Sequence, residues 1–594
     1  MSRLDDIQKR LDERMAEIDR RIGGVTGEDR STLNTSPNTV RASDGSSRSG
    51  NGRVADSATL RKMLSALNPG YVDWIQGGRA RGGVNYGLVP QPYDFSYLSQ
   101  FRSSVGIRDA LPARFDLRQE NALTPIRDQG NFGTCWAHAA MASIESSILK
   151  NGGAQCDFSE NNLANLHGYD HDAYHNGGTS IMASSYFLRW DGPVSESDDP
   201  YGRPGESVRL PAAKHLQSVR WIPPMADDLD GSLYKEAIFK SGAVWMGYYD
   251  EHNAPNFYNP STAAYYVPLT NPPPKGNHAV AIVGWDDRYS ASNFATRPPG
   301  DGAWIVRNSW GVGFGDKGYF YVSYYDATFC RQFPGFQFSG VEEVDNYQDI
   351  LQYDELGMVL AFGDGESASG ANVFTATRNM AIGAVGFYAL TPGTSYRVRI
   401  YSGGISQGPT GSVLAEQSGI AEWAGYLTVR IGTAPRIRSG ERFSVVVEFN
   451  SPGTAQPLAL EVAVPGITGR ANAVEGQSYV CVKDFGWVDL TLLDKSANFC
   501  LKVYVKNEGD EEAERSWKRF CPQCGRYTYT EKSTGAARCQ YCGGWLESKS
   551  RGGDDGCSDG VDRSTKRFCK KCGKYTWTET PTGADRCQYC GEWL

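Results

Sequence analysis

One cysteine stands where a glycine-containing loop meets a helical pattern, in the segment QGNFGTCWAHAAMASIES at residues 129–146. After Cys135, small and apolar residues recur at helical spacing, so the pattern predicts a buried helix that begins near Cys135. Unpaired N–H groups and the helix dipole favour negative charge at such a terminus, and they lower the pKa of a thiol placed there. Cys135 is therefore a candidate nucleophile, and a buried structural cysteine is the alternative.

A histidine and an asparagine accompany two short apolar runs later in the chain. His278 opens the run at residues 279–283, which predicts a buried strand. Asn308 follows a second such run, and Trp310 lies two residues further on in a glycine-rich turn. A nucleophilic thiol needs a base, and the base needs a group that orients it. His278 and Asn308 fit these two roles, and Trp310 can shield the bond between them from water.

These segments, in this order, resemble the papain-like cysteine peptidases. DFSENNLANL at residues 157–166 and HNGGTS at residues 175–180 resemble two further landmarks of that family, and the resemblance extends from about residue 111 to about residue 340. It implies a two-lobed peptidase fold that hydrolyses peptide bonds by acyl transfer to a thiolate. Whether such an enzyme would be an endopeptidase or an exopeptidase stays open.

The resemblance also assigns roles to individual residues. It implies that Cys135 is the nucleophile, His278 the general base, Asn308 the group that orients the base, and Gln129 a donor to the oxyanion. It further implies that Trp310 covers the histidine–asparagine pair. The residues that it places along the substrate cleft are Gly177, Gly178, Thr179, Gly276 and Trp310.

The chain departs from the family pattern at its disulfides. The family's first cysteine in this region is Phe132 here, and its usual partner position is His175. Another family cysteine position corresponds to Leu166. The enzyme is therefore expected to do without these covalent links, because a domain of about 230 residues can bury enough core to fold without them.

The sequence before residue 111 predicts a helix, a linker and a propeptide-like segment. Residues 1–23 carry apolar residues at spacings of three and four on a charged helix, either coiled-coil-like or docked on its own protein. Residues 24–57 have the composition of a disordered linker. A short helical pattern follows at residues 58–67. Residues 58–110 are propeptide-like by position, and a strap packed on the surface is the alternative.

Beyond residue 342 the pattern changes to short alternating runs separated by glycine, proline and serine. Such runs predict an antiparallel β-sandwich over residues 345–507. This segment resembles the lectin-like domain that follows the peptidase domain in some prokaryotic relatives. A packing or substrate-presenting module is the favoured interpretation, since fold alone does not establish carbohydrate binding.

The last 80 residues contain two near-copies, at residues 517–547 and 565–594, joined by a linker at 548–564. Each copy holds two Cys-x-x-Cys-Gly segments, and four thiolates in two such knuckles suit tetrahedral zinc. Disulfides and rubredoxin-like iron are the alternatives. Two structural Zn²⁺ ions are thus predicted, and a small module of this kind would draw its folding energy from the metal. The predicted ligands are Cys521, Cys524, Cys539, Cys542, Cys569, Cys572, Cys587 and Cys590.

Composition narrows the class of protein. A net charge of −8 argues against a nucleic-acid binder, and no apolar run reaches the roughly 20 residues needed to span a bilayer. The start of the chain has no signal-peptide apolar core, so a cytoplasmic enzyme is expected, with non-classical export as the alternative. The zinc modules are expected to dock a protein partner.

Together these observations predict an α+β protein. It would hold a papain-like peptidase domain at residues 111–342, the sandwich, and two zinc-ribbon-like modules. The predicted function is a cysteine peptidase, made as a zymogen, that acts on peptide or protein substrates. The alternative is a catalytically silent scaffold whose sandwich and zinc modules bind protein or carbohydrate.

Overall fold

The computed structural model describes residues 56–75, 86–101, 111–226 and 228–507, and the backbone of six short strands beyond residue 507. The chain divides into two compact units, residues 1–506 and residues 507–594. The predicted helix at residues 1–23 and nearly all of the predicted linker at 24–57 lie outside the described residues.

The α-helices of the described part all precede residue 242. Short 3-10 segments occupy Ser96–Phe101, Ala291–Asn293 and Leu490–Leu492. The α-helices are α1 (Ser57–Arg61), α2 (Pro69–Ile75), α3 (Cys135–Lys150), α4 (Glu160–Leu166), α5 (Ala173–Asn176), α6 (Ser180–Leu188) and α7 (Ser232–Ser241).

The peptidase segment combines these helices with an antiparallel sheet. The helix predicted to begin near Cys135 is α3, and it is buried along almost its whole length. The predicted buried strand after His278 is also present, with every residue but the last buried. The strands are β1 (Arg114–Asp116), β2 (His215–Ile222), β3 (Val244–Tyr248), β4 (Tyr258–Asn259), β5 (Ala264–Tyr265), β6 (His278–Asp286), β7 (Ala303–Arg307), β8 (Tyr319–Ser323) and β9 (Gly335–Glu342).

The predicted antiparallel sandwich follows. On the strand Arg442–Asn450, alternate residues Phe443, Val445 and Val447 enter one core, where Phe387 also lies. The strands are β10 (Asp349–Leu351), β11 (Leu360–Phe362), β12 (Ser367–Thr375), β13 (Met380–Ala389), β14 (Thr394–Tyr401), β15 (Val413–Ala421), β16 (Ala424–Arg430), β17 (Arg436–Ile437), β18 (Arg442–Asn450), β19 (Leu458–Glu461), β20 (Ser478–Val482), β21 (Gly486–Asp489), β22 (Asn498–Phe499) and β23 (Leu501–Asn507).

The peptidase and sandwich segments share one sheet. Strand β16 of the sandwich pairs with β2 of the peptidase, with Ala424 opposite Trp221 and Leu427 opposite Ser218. One long sheet therefore runs β10-β23-β13-β16-β2-β9-β3-β6-β7-β8-β5-β4, beside a six-stranded sheet β15-β14-β18-β12-β20-β21 and a three-stranded sheet β11-β19-β22. Two separate modules were expected. The shared sheet arises because each segment offers a strand edge that the other can pair.

The segment before the peptidase joins both parts. Leu60 of α1 is 1% exposed and belongs to the sandwich core. The helical pattern predicted for residues 58–67 is wrong after Arg61, because the chain then extends along β11. There the Ser65 N–H donates to the Ala361 carbonyl at 2.8 Å, and the Gly363 N–H donates to the Met63 carbonyl at 3.1 Å.

In the second unit, three antiparallel pairs are described by their backbone. They are β24 (Trp517–Phe520) with β25 (Tyr527–Thr530), β26 (Ala537–Arg538) with β27 (Trp545–Leu546), and β28 (Thr565–Phe568) with β29 (Tyr575–Thr578). The eight predicted zinc ligands lie outside the described residues.

Candidate active site

The thiol of Cys135 lies at the first residue of α3, where Thr134 is the N-cap and makes no side-chain capping bond. The Ala279 N–H donates a hydrogen bond to Cys135 Sγ at 3.3 Å. Because Ala279 follows His278 directly, this bond brings the thiol to the start of β6. Residues 144 positions apart in the chain thus share one site.

Among the described residues, only one of the two ring nitrogens of His278 has a hydrogen-bond partner. Its Nε2 lies 2.8 Å from Asn308 Oδ1, and its ring stacks on Trp310 with centroids 4.7 Å apart. Its Nδ1 is buried and has no hydrogen-bond partner. A buried ring nitrogen without a partner is costly in a purely structural histidine. Here it leaves one nitrogen free for proton transfer while Asn308 fixes the other.

Gln129 is oriented by Ser309, whose hydroxyl donates to Gln129 Oε1 at 2.7 Å. That bond directs Gln129 Nε2 toward two carbonyls, Phe132 O at 2.8 Å and Tyr86 O at 2.9 Å. The second carbonyl belongs to the segment that precedes the peptidase. The resemblance predicts that Gln129 donates to the oxyanion. Its Nε2 thus already binds a carbonyl oxygen in this structure.

The segment at residues 86–101, here named the prosegment, crosses the site. The Tyr86 N–H donates to Asn277 O at 3.1 Å, the Val89 N–H to Gly178 O at 3.1 Å, and the Gly178 N–H to Gly87 O at 2.9 Å. A Cβ at Gly87, whose φ is +119°, would lie 2.1 Å from the Gly133 carbonyl oxygen. Only glycine permits so close a passage over the thiol-bearing loop.

Leu88 fills a pocket that glycines create. It is 3% exposed, and a Cβ on Gly247 or Gly276 would lie 2.9 or 3.1 Å from its Cδ2. Phe333 closes the same pocket, because its ring would also meet a Cβ on Gly276. Gly247 and Phe333 were not predicted, although a glycine inside the apolar strand β3 was a usable signal.

Three of the predicted cleft residues make different kinds of contact. Gly178 engages the prosegment through its own backbone, and Gly177 borders Gly87, since a Cβ on Gly177 would lie 2.4 Å from the Gly87 carbonyl oxygen. Thr179 instead caps α6, where its hydroxyl accepts a bond from the Met182 N–H at 3.1 Å. This use commits the Thr179 hydroxyl to the helix.

Burial shifts the pKa values of Cys135 and His278. It raises the pKa of the Cys135 thiol to about 12, although the N–H groups of Ala279 and Trp136 partly offset this, and it lowers the pKa of His278 to about 4. Both groups are therefore neutral in this covered state. The sequence predicted a lowered thiol pKa from the helix terminus. Here loss of water outweighs that terminus.

A buried polar cluster binds the side chain of Arg307, the residue before Asn308. Arg307 Nη1 donates to the Thr124 carbonyl at 2.8 Å, and the Thr124 hydroxyl donates to Glu145 Oε2. Glu145 Oε1 also accepts a bond from the Phe158 N–H at 3.0 Å. This network ties the end of β7 to the middle of α3, so the nucleophile and the orienting amide stand on connected elements.

Among the described residues, no group of three or more His, Cys, Asp or Glu side chains could hold a metal ion. Within the same ranges, the cysteines form no disulfide; they are Cys135, Cys156, Cys330, Cys481 and Cys500. No helix in the described part is long and apolar enough to cross a membrane.

Comparison with known proteins agrees with this geometry. Residues 111–332 match the family model described as papain family cysteine protease, and residues 350–505 match the one described as lectin like domain. The chain contains a papain-family cysteine peptidase domain. This peptidase domain is followed by the lectin-like domain, which is the antiparallel β10–β23 segment.

Curated relatives match part of the chain. A cathepsin L-like peptidase of Aedes aegypti is 28% identical over 211 residues, which are 35% of this chain and 58% of the relative. Cathepsin K of Gallus gallus is 29% identical over 230 residues, which are 39% of this chain and 62% of the relative. The chain thus spans less than two thirds of the length of these relatives.

Solved structures match both domains. The cysteine protease and lectin-like domains of Cwp84, a surface layer associated protein of Clostridium difficile, align with a TM-score of 0.62 at 24% identity, covering 75% of this chain and 98% of that one. The same clostridial protease after propeptide cleavage aligns with a TM-score of 0.58 at 26% identity, over 66% of this chain and 99% of that one. The arrangement of peptidase and lectin-like domains thus recurs in that protein.

Proposed function

We propose that this chain is a cysteine peptidase that is made in a latent form. The observation that carries the proposal is the bond from Gln129 Nε2 to the Tyr86 carbonyl beside the buried Cys135 thiol. A backbone carbonyl on the assigned oxyanion donor imitates a bound peptide. The prosegment thus occupies the groove in which a peptide would bind, and it closes that groove to substrate.

In the opened enzyme, His278 takes the thiol proton and Cys135 Sγ attacks the carbonyl carbon of a peptide bond. Gln129 Nε2 and the Cys135 backbone N–H stabilise the oxyanion, and the imidazolium then protonates the leaving amine. Water, deprotonated by His278, hydrolyses the thioester. Asn308 keeps the ring in the orientation that directs Nδ1 to the thiol.

Latency follows from the same contacts. When the prosegment lies in the groove, the thiol and the imidazole are neutral and react poorly with a peptide bond. The groove also has no room for a substrate. Leaving the groove restores water, which favours the thiolate–imidazolium pair. Because residues 60–65 are anchored on the sandwich, the prosegment stays near the groove.

We further propose that each tail repeat binds one structural Zn²⁺. The described strand pairs support this, since three of them flank the first three Cys-x-x-Cys segments of the tail. A hairpin that brings both cysteines to one turn suits a zinc knuckle. The ligands would be the eight tail cysteines named above, and a protein partner for these modules stays a prediction.

The function is tested on the full chain carrying Leu88→Asp, which loosens the prosegment. We expect it to hydrolyse quenched fluorescent peptides and to be labelled by a thiol-directed peptide epoxide. Cys135→Ala should abolish both signals, whereas Cys156→Ala, which removes a partly exposed thiol elsewhere, should preserve them. Hydrolysis that survives Cys135→Ala would rule out Cys135 as the nucleophile. Neither hydrolysis nor labelling of any variant would favour the catalytically silent scaffold.

A further inference from the structure

A small cavity lies between the elements that carry the proposed catalytic residues. Helix α3 lines it with His138 and two alanines, β6 lines it with residues 279–281, and Asn308 and Ser309 line it after β7. The space open to a water-sized sphere is about 10 Å³, which is about the room that one water molecule needs. Polar side chains around such a space make the cavity a candidate water site.

Asn308 presents an unpaired donor at this cavity. The residue is 2% exposed, and its Oδ1 lies 2.8 Å from His278 Nε2 and accepts a bond from the Ser309 N–H at 2.8 Å. Its Nδ2 is buried, and among the described residues it has no hydrogen-bond partner. A buried donor without a partner is costly, so this amide favours an acceptor in the cavity.

His138 is an acceptor on the helix side of the cavity. It is 5% exposed, and its Nδ1 lies 3.0 Å from the Thr134 carbonyl oxygen. Because a carbonyl only accepts, Nδ1 carries the proton of this imidazole, and Nε2 is left with a lone pair that can accept. Burial, with Arg307 nearby, lowers the pKa of His138 to about 4, so the ring stays neutral near pH 7.

The other polar side chains around the cavity offer no equivalent acceptor. Arg127 and Arg307 can only donate. The Ser309 hydroxyl already donates its proton to Gln129 Oε1 at 2.7 Å. The His138 imidazole is therefore the group that best matches the unpaired amide donor.

We propose that His138 is a positioning residue that holds Asn308 through one water bound in this cavity. The Asn308 Nδ2–H donates to the water oxygen, and the water donates one of its hydrogens to His138 Nε2. With Nδ2 engaged on this side, Oδ1 stays directed to His278 and accepts its Nε2–H, which leaves Nδ1 free to take the thiol proton. This inference rests on the proposed peptidase function.

The test measures kcat and KM of the full chain with Leu88→Asp on one quenched peptide. Rates are referred to the amount of Cys135 that the peptide epoxide labels at completion. His138→Phe keeps a ring and removes the acceptor. We expect it to lower kcat about five- to tenfold, as the loss of one buried hydrogen bond allows, and to leave KM within about twofold. His138→Leu, which also lacks an acceptor, should behave alike.

Further variants separate positioning from packing. His138→Gln, whose Oε1 can accept, should keep about half of kcat or more. Asn308→Ala removes the donor and should keep measurable activity, because the nucleophile and the base remain. Adding His138→Phe to it should cause no further decrease. His215→Phe is the matched control and should leave kcat unchanged, since His215 is also buried and its Nδ1 also faces an oxygen, Asn346 Oδ1 at 2.6 Å.

An unchanged kcat in His138→Phe and His138→Leu would overturn the inference while the peptidase function stands. The same holds for an equally low kcat in His138→Gln, or for an equal decrease in the Asn308→Ala background. If neither hydrolysis nor Cys135 labelling is found in any variant, the peptidase function fails and the inference fails with it.

Discussion

Phe132 and His175 stand at the two positions where the resemblance to papain-like peptidases implies a disulfide. Their ring centroids lie 5.8 Å apart, and Phe132 also packs edge-on against Tyr174 at 4.8 Å. Aromatic packing thus joins the same two loops without a covalent bond. The loop that carries the thiol is positioned by side chains that do not depend on the redox state of the surroundings.

Glu145 gives a residue-scale prediction about pH. Burial raises its pKa from 4.5 to about 7, so the folded state binds a proton that the unfolded state has already lost. Stability should therefore fall as pH rises from about 4.5 to 7 and change little above. The contribution is of the order of 2–3 kcal/mol. Burial also raises the pKa of Glu160 to about 7, so Glu160 contributes to the same decrease in stability with pH.

Glu145→Gln can keep the bond from the Phe158 N–H and can donate to the Thr124 hydroxyl. We expect a smaller drop in Tm between pH 5 and pH 8 for this variant than for the unaltered chain. Glu120→Gln, at an exposed position, serves as the control and should keep the full drop. An undiminished drop in the Glu145 variant would mean that this carboxyl stays ionised in the folded protein.

At the scale of elements, the residues before the peptidase domain do two jobs. The part at residues 56–67 belongs to the sandwich, because Leu60 enters its core and the backbone extends along β11. The prosegment fills the peptidase groove and packs on both domains: Phe95 meets Trp221 with centroids 4.9 Å apart, and the Tyr97 hydroxyl donates to Leu390 O at 2.7 Å. The prosegment is thus tied to the lectin-like domain as well as to the peptidase domain.

This arrangement predicts that the prosegment limits access to Cys135. Leu88→Asp places a carboxylate in a pocket formed by Gly247, Gly276 and Phe333, where it has no partner of opposite charge among the residues that line it. We expect the full chain with Leu88→Asp to react with a thiol-directed peptide epoxide at least about tenfold faster than the unaltered chain. The rate is followed by mass spectrometry of the labelled protein.

Tyr97→Phe is the control for this experiment, because it alters the prosegment where it contacts the sandwich and leaves the groove contacts in place. It should label nearly as slowly as the unaltered chain. Equally fast labelling of the unaltered chain and of Leu88→Asp would reduce the prosegment to a surface strap.

At the scale of the whole molecule, the two tail repeats hold eight of the fourteen cysteines. Sites built from four thiolates persist where thiols stay reduced, which agrees with the predicted cytoplasmic location. We expect the purified full chain to contain two zinc ions and, once denatured with a chelator and without reductant, close to fourteen reactive thiols. Metal analysis and thiol titration measure both quantities.

Single cysteine changes sharpen the zinc prediction. Cys521→Ser should lower the zinc content by about one ion per chain. Cys557→Ser, in the linker between the repeats, should leave it unchanged, since that cysteine belongs to no Cys-x-x-Cys pair. Unreactive tail cysteines and no metal would indicate disulfides instead and an oxidising compartment.

The sequence by itself determined the local elements that carry the chemistry. The helix at Cys135 and the strand at His278 follow from periodicity, because the alternation of apolar residues reflects which face is buried. The alternating runs of the sandwich were predictable for the same reason. The roles of nucleophile, base, orienting amide and oxyanion donor could be predicted because the motifs resemble those of papain-like peptidases, and these roles stay predictions.

Only the tertiary structure decided what fills the groove and how the domains join. Tyr86, Gly87 and Leu88 meet the site through backbone bonds and shape, and such contacts leave no periodic signal in a sequence. The pairing of β16 with β2 likewise joins two strand edges that lie far apart in the sequence. The direction of the thiol pKa reversed for the same reason, since burial depends on distant residues while the helix terminus is local.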